Sequence, residues 1–360
     1  SMLGSNTTAF AVSIWIYTST GSITYFALNN VFYLLPMALL SPLAGVTADR
    51  YDRRTILIIT YIIQGVTTFF IGMLYFLDIL TIWPIYVAIT LSSAAQAFQS
   101  PAWSASIAMI VPKAQLGRAS GMGRLSQAVG RLAAPAAGGA LILTIGLGGI
   151  VLIDTITFLF AITTLIFVTI PMPTQTSQPD TDTQKWSRWQ DFVFGWRYLT
   201  DRRGLFIFVI IISLLNLFVN FSGVLLVPMT LTITDEATVG IMMSIMSSGM
   251  LLGTLIMSAW GGPQKRMRLF LLVLIIQGGA IFTTGLRPSL VLITAASFTM
   301  MLCFAFISTL LGPILQTKVA PDVQGRVFAI VGFLGMILEP VGQLAVGPLT
   351  DNIFEPAMSA

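Results

Sequence analysis

The stretch GVTADRYDRR, Gly45 to Arg54, places two acids and three arginines within ten residues. Unbroken apolar runs lie on either side, near 22–46 and 55–77. Only 9% of the 360 residues are charged and 56% are hydrophobic. A soluble domain carries about 25% charged residues. The cluster therefore reads as a loop between two membrane spans, each needing about 20 apolar residues.

Further apolar runs fall near 3–18, 82–111, 119–145 and 150–170, then 205–231, 238–260, 268–285, 289–316 and 326–349. Helices are expected throughout, because an open sheet leaves its backbone unsatisfied in lipid. The fold class read from this pattern is an all-α polytopic membrane protein. Its expected divisions are 1–170, a linker over 171–204, and 205–360.

Of the 18 Lys and Arg residues, fifteen fall in loops on the side of Arg50. Arg287 alone faces the other side, and Arg124 and Arg131 lie inside the fifth run. By the positive-inside rule the fifteen mark the cytoplasm. The N-terminus is then cytoplasmic, in a cell inner (plasma) membrane. Within the linker, Trp186, Trp189, Phe192, Trp196 and Leu199 recur at helical spacing beside Arg188 and Arg197. That suits an amphipathic helix on the inner leaflet, or one packed against the cytoplasmic face of the bundle.

Histidine is absent and Cys303 is the only cysteine. Imidazole chemistry, a Cys/His metal site and an intrachain disulfide are excluded. The net charge of +4 reports loop orientation, not nucleic-acid binding. Neither a P-loop nor a Ser/base constellation is present, so no catalytic residue, cofactor or metal is expected.

An offset of 208 residues maps Gly117-Arg118 onto Gly325-Arg326, Gly45 onto Gly253 and Gly139 onto Gly347. Two halves repeated in parallel orientation are the pattern of a transporter whose halves rock about a midplane site. Arg131 and Glu339 are counterparts under the same offset. An ionisable group at that depth is costly unless paired or wet. Both are expected to face the central cavity or the interface between halves, either with Glu339 as proton carrier and Arg131 as its tuning partner or an anion anchor, or as static, water-exposed charges in the outer half of the cavity. Asp154 is a further intramembrane carboxylate, read mainly as a hydrogen-bonded structural group.

The Gly45–Arg54 string resembles motif A of the major facilitator superfamily, with Gly45, Asp49, Arg50, Arg53 and Arg54 matching and Asp52 replacing a common Gly. The string GRLAAPAAGG resembles the antiporter motif C, through Gly130, Pro135, Gly138 and Gly139. Longer strings, such as SPAWSASIAMIVPKAQLGRASG, resemble the siderophore-exporter and macrolide-efflux branch. The resemblance implies two six-helix halves in pseudo-two-fold repeat, and efflux of amphipathic small molecules coupled to protons. It implies that Asp49 latches the cytoplasmic side, and that motif C packs on the eighth helix. It also places the first, fourth, seventh and tenth helices around the cavity, with Gln96, Gln99, Trp103, Asn216 and Asn220 as lining; interhelical hydrogen bonding is the alternative use of those polar groups. The partners expected are the substrate, protons and the bilayer, around a monomer. Uptake, lipid transfer, a membrane sensor or an inactive fragment are the competing functions. Against a twelve-span pattern, the chain is expected to lack part of the first helix and all of the twelfth.

Overall fold

The computed structural model describes residues 2–112, 115–167, 196–263, 265–319 and 323–354. Among these the architecture is helical, with no strand. The helices are α1 (Met2–Thr20), α2 (Ile23–Arg50), α3 (Arg53–Phe76) and α4 (Ile82–Ile110). A continuous helical stretch, Leu116–Phe167, breaks at Gly146, where φ is 65° and ψ −178°. Only glycine adopts that backbone readily. The break divides α5 (116–145) from α6 (147–167). The second half holds α7 (Arg203–Leu231), α8 (Glu236–Trp260), α9 (Arg266–Thr284), α10 (Leu290–Lys318) and α11 (Gln324–Leu349), followed by a short π-helical turn, Thr350–Phe354. Seven stretches among the described residues are long and apolar enough to cross a bilayer, one of them spanning both α5 and α6.

Among residues 1–174 and 227–244, successive helices alternate in direction, so the loops gather at two ends. One end carries the arginine-rich turn at 51–52. The other carries the turns at 20–22, 77–81 and 232–235, together with the Gly146 corner. They are called here the basic end and the charge-poor end.

The motif A string is less of a loop than its charge suggests. Helix α2 runs on through Arg50 and α3 begins at Arg53, leaving Tyr51 and Asp52 as the connection. Asp52 makes so short a turn workable. Its carboxylate accepts from the backbone N–H groups of Arg54 (3.3 Å) and Thr55 (3.1 Å) and from the Thr55 hydroxyl (2.7 Å). These bonds satisfy donors that a helix start otherwise leaves free.

Contacts group the chain into two compact units. One comprises 1–174, 227–244 and 343–360; the other comprises 175–226 and 245–342. The units thus depart from the simple halves of the chain: the charge-poor ends of α7, α8 and α11 belong with the first-half helices. The core of the first unit is built from Val12 and Ile16 of α1, Ile71 of α3, Ile85 and Tyr86 of α4, and Ile150 and Val151 of α6. Tyr86 stacks on Phe32 at 4.6 Å between ring centroids, and its hydroxyl donates to the Tyr25 carbonyl at 2.7 Å. The second unit buries Phe208, Met257, Phe270, Cys303, Ile307 and Leu310. Both cores leave large apolar side chains outside, such as Phe69, Phe160 and Ile275, as a lipid-facing surface requires.

The linker tryptophans Trp186 and Trp189, with Phe192, lie outside the described residues. The portion that follows is helical over 196–200. There Leu199 is buried against Val209, Val319, Val323, Val327 and Ile330. This part packs on protein, while Trp196 stays 38% exposed. Arg202 sits 4.1 Å over the Tyr198 ring.

Candidate functional site

The motif C residues sit where three helices converge at the charge-poor end. The residues Gly130 and Gly138, eight positions apart, share one face of α5 toward α1. A Cβ on Gly138 would meet the Phe10 ring at 2.6 Å, and one on Gly130 the Asn6 amide at 3.2 Å. Gly139, about 100° further round α5, faces another neighbour. A Cβ there would lie 2.6 Å from the Glu236 carbonyl oxygen and 2.9 Å from Ala237 Cα, in the first turn of α8. One turn further along α8, a Cβ on Gly240 would overlap the Pro135 carbonyl. Small residues are what permit backbones this close. Pro135 has no N–H and crowds the preceding turn. The next amide, Ala136 N–H, donates outside its own helix to Ser244 Oγ on α8 at 3.1 Å.

A related contact recurs through the repeat. Gly347, the counterpart of Gly139, lies on α11 against the first turn of α2. A Cβ there would fall 2.5 Å from Thr24 Cα. Just beyond, Asp351 accepts from Ser22 Oγ (2.6 Å), Ile23 N–H (3.1 Å) and Thr24 N–H (3.0 Å). Burial pushes the Asp351 carboxyl up, but the bonds from Ser22, Thr24 and Ile23 outweigh it and hold the group below its ordinary value.

At the basic end, the motif A arginines reach helix ends. The Arg53 guanidinium donates to the Ala105 carbonyl in α4 at 3.2 Å, and Arg54 Nε donates to the Leu165 carbonyl in α6 at 3.2 Å. Arg54 also donates to the Ile166 carbonyl. The Leu165 and Ile166 carbonyls are among the last four of α6, so Arg54 satisfies groups that lack helical partners and matches the helix dipole. Burial works against the Asp52 carboxyl, but the bonds from Thr55 and Arg54 prevail and hold it below its ordinary value. Gly45, Asp49 and Arg50 fall within α2, but the surroundings of their side chains lie outside the described residues, as do those of Arg131.

Asp154 is 1% exposed, in α6 against α1. Ser5 Oγ and Thr157 Oγ1 each donate to Oδ1 at 3.3 Å. A Cβ on Gly4 would meet the same oxygen at 2.6 Å. A hydroxyl-lined carboxyl in so tight a place is positioned to hold two helices in register. Glu339 is half-buried on α11, one turn before the buried Gln343.

Of the polar groups expected to line a cavity, the α4 glutamines bond to neighbouring helices and the α7 asparagines to their own. Gln64 Nε2, on α3, donates to Gln99 Oε1 at 2.9 Å. The Tyr33 hydroxyl donates to Gln96 Oε1 at 2.8 Å, and Ser93 donates to the Tyr33 carbonyl. Asn216 and Asn220 donate back to their own helix, to the carbonyls of Ile212 (3.0 Å) and Asn216 (2.9 Å). Trp103 is 49% exposed. Sequence reasoning missed Gln64, Asp351 and the capping role of Asp52. An amide within an apolar run should have drawn attention to Gln64, since it needs a partner there. Asp52 stands three residues before Thr55 at a helix start, which is a capping signal.

The major facilitator superfamily pattern matches residues 1–342. The chain is 26% identical over 363 aligned positions to macrolide efflux protein A of Streptococcus pyogenes, covering 98% of this chain and 87% of that protein. It is 28% identical over 313 positions to macrolide efflux protein A of Enterococcus faecalis, covering 86% and 95%. Among solved structures, it is similar to an inward-facing bacterial homologue of the iron transporter ferroportin, at TM-score 0.68 and 14% identity, over 96% of this chain and 88% of that one. At these identities the structural likeness speaks for fold alone. The family match extends over nearly the whole described chain and takes in the α5–α8 contact, with Gly347 and Asp351 just beyond its end: the chain belongs to the Major Facilitator Superfamily of multi-pass membrane transporters.

Proposed function

We propose that this chain is a proton-coupled exporter of bulky amphipathic small molecules that works by alternating access. The observation that carries the reading is the likeness, over 98% of this chain, to a protein named for macrolide efflux. The motif C resemblance supports the same direction. The basic end then lies in the cytoplasm and the charge-poor end outside. The membrane is the plasma membrane and the N-terminus is cytoplasmic.

In this reading the close α5–α8 approach at Gly139 and Gly240 shuts the outer side while substrate enters from within. The motif A group, Gly45, Asp49, Arg50, Arg53 and Arg54, shuts the inner side in the opposite state. Glu339 takes up a proton from outside, and Arg131 tunes it or holds an anionic part of the substrate. Asp154 is the second carboxyl open to such a role, though its hydroxyl shell favours a structural one. Trp103 and the amides of α4 and α7 meet the cargo, the amides giving up their present hydrogen bonds to do so. The protein acts as a monomer and carries out no enzymatic step.

The test is accumulation of a radiolabelled macrolide in cells expressing the chain. Export lowers accumulation below that of empty-vector cells, and collapse of the proton gradient removes the difference. Glu339→Gln abolishes the lowering at an unchanged amount of inserted protein. Export that continues unaltered in Glu339→Gln overturns the proton role of that residue. Accumulation above the vector level favours an uptake permease instead, and no change in either direction overturns transport of this substrate class.

A further inference from the structure

We propose that Asp351 is a reversible latch on the charge-poor end, holding α11 to the start of α2 in the state closed there and releasing it when that end opens. The inference rests on the alternating-access reading. Its geometry is independent of the substrate.

The acid comes from far along the chain. The bond from Ile23 N–H to Asp351 joins residues 328 positions apart. Three donors converge on the one carboxylate: the Ser22 hydroxyl and the first two backbone N–H groups of α2. A helix N-terminus carries partial positive charge, and a carboxylate there is the favoured partner. The fit is set from both sides. Gly347 brings α11 within van der Waals reach of Thr24, and Gly21, at φ 66°, turns α1 sharply into α2.

Helix α2 does not need this acid to begin. Ser22 is its own N-cap and accepts from Tyr25 N–H at 3.4 Å. The repeat-related helix α8 is served locally, by Asp235, whose carboxylate accepts from the hydroxyls of Thr238 and Thr234. A distant acid on α2 is therefore additional to helix capping. When it leaves, Ser22 and water take over the freed N–H groups. The contact is thus strong enough to bias a state and weak enough to let go. Its place on α11 agrees with that role. Residues 343–360 cluster with the first-half helices, whereas 245–342 form part of the other unit. The latch closes the final turns of a helix whose body belongs elsewhere.

The test is a pulsed electron-spin distance measurement in lipid nanodiscs. Spin labels go on Leu77→Cys and Ile233→Cys, exposed residues in two turns of the charge-poor end, in a Cys303→Ser background. Loss of the latch in Asp351→Ala should raise the ratio of long to short distances about fivefold. Asp351→Asn, which keeps the shape and loses the charge, should move it the same way and serves if the alanine variant folds poorly. A wild type with two distance populations that neither variant shifts overturns the latch alone, even if thermal stability falls. One unchanging distance in all proteins overturns alternating access and the latch together.

Discussion

At the α5–α8 contact, Gly139 and Gly240 set backbone against backbone, with one hydrogen bond, Ala136 N–H to Ser244 Oγ. At the α11–α2 contact, Gly347 makes a similar approach to Thr24, but a carboxylate with three donors fastens it. The same repeat has therefore produced one contact held by shape and one held by charge. Shape complementarity fails abruptly when a methyl group is added, whereas a charged cap is lost by degrees. The two contacts should respond differently to substitution.

The largest effect is expected from Gly240→Ala, because its new methyl would overlap backbone that cannot swing aside. Export should fall by about tenfold or more, at a cost typical of overpacking. Gly347→Ala should act in the same direction and somewhat less, its added Cβ falling 2.5 Å from Thr24 Cα where that of Gly240 would fall closer still to the Pro135 carbonyl oxygen. Gly123→Ala, with open space around its Cα, is the control and should change neither export nor folding. Equal losses in Gly240→Ala and Gly123→Ala, by macrolide accumulation at matched expression, would break the distinction.

Ser244→Ala comes next. It strips the acceptor from Ala136 N–H at a helix already loosened by Pro135. A net hydrogen bond contributes about 1 kcal/mol, so the melting temperature in detergent should drop by a few degrees. A melting temperature at or above wild type would show that the contact relies on glycine packing alone.

The smallest effect concerns acid. Asp351 and Asp52 both sit below their ordinary carboxylate values because hydrogen bonds favour the charged form. A depressed folded-state value means the stabilisation is present above the unfolded value of 3.8 and is lost as pH falls through the folded one. Melting temperature should therefore decline below about pH 4, and less steeply in Asp351→Asn than in wild type. Parallel acid profiles in the two proteins would show that Asp351 contributes nothing to this window.

Much of the fold could be read from hydropathy, because lipid requires long apolar helices and charge marks their ends. The break between the fifth and sixth runs was placed at 145–150, and Gly146 supplies it. The Gly45–Arg54 string was read as a loop because charge density is blind to backbone. Asp52 instead caps α3 so closely that the loop shrinks to two residues. The glycines of motif C were legible as packing residues, but which helix each one meets is a matter of rotation about α5. Gln96 and Gln99 were read from their shared stripe as cavity lining or interhelical hydrogen-bonding groups, and Tyr33 and Gln64 on neighbouring helices bond to them. Spacing within one helix carries no information about such partners. Asp351 was hidden for the same reason: nothing near 351 in the chain points to residue 22.

The corner at Gly146 joins α5 to α6 through one residue held at φ 65°. A joint that short has no slack. It permits a pivot, but it cannot absorb a slide of one helix past the other. A sliding motion that parts Gly139 from α8 is then passed on to α6, and with it to the hydroxyl-lined Asp154 against α1. The turn thus works as a crank, making the packing at one side of α5 and the carboxyl of α6 two ends of one lever.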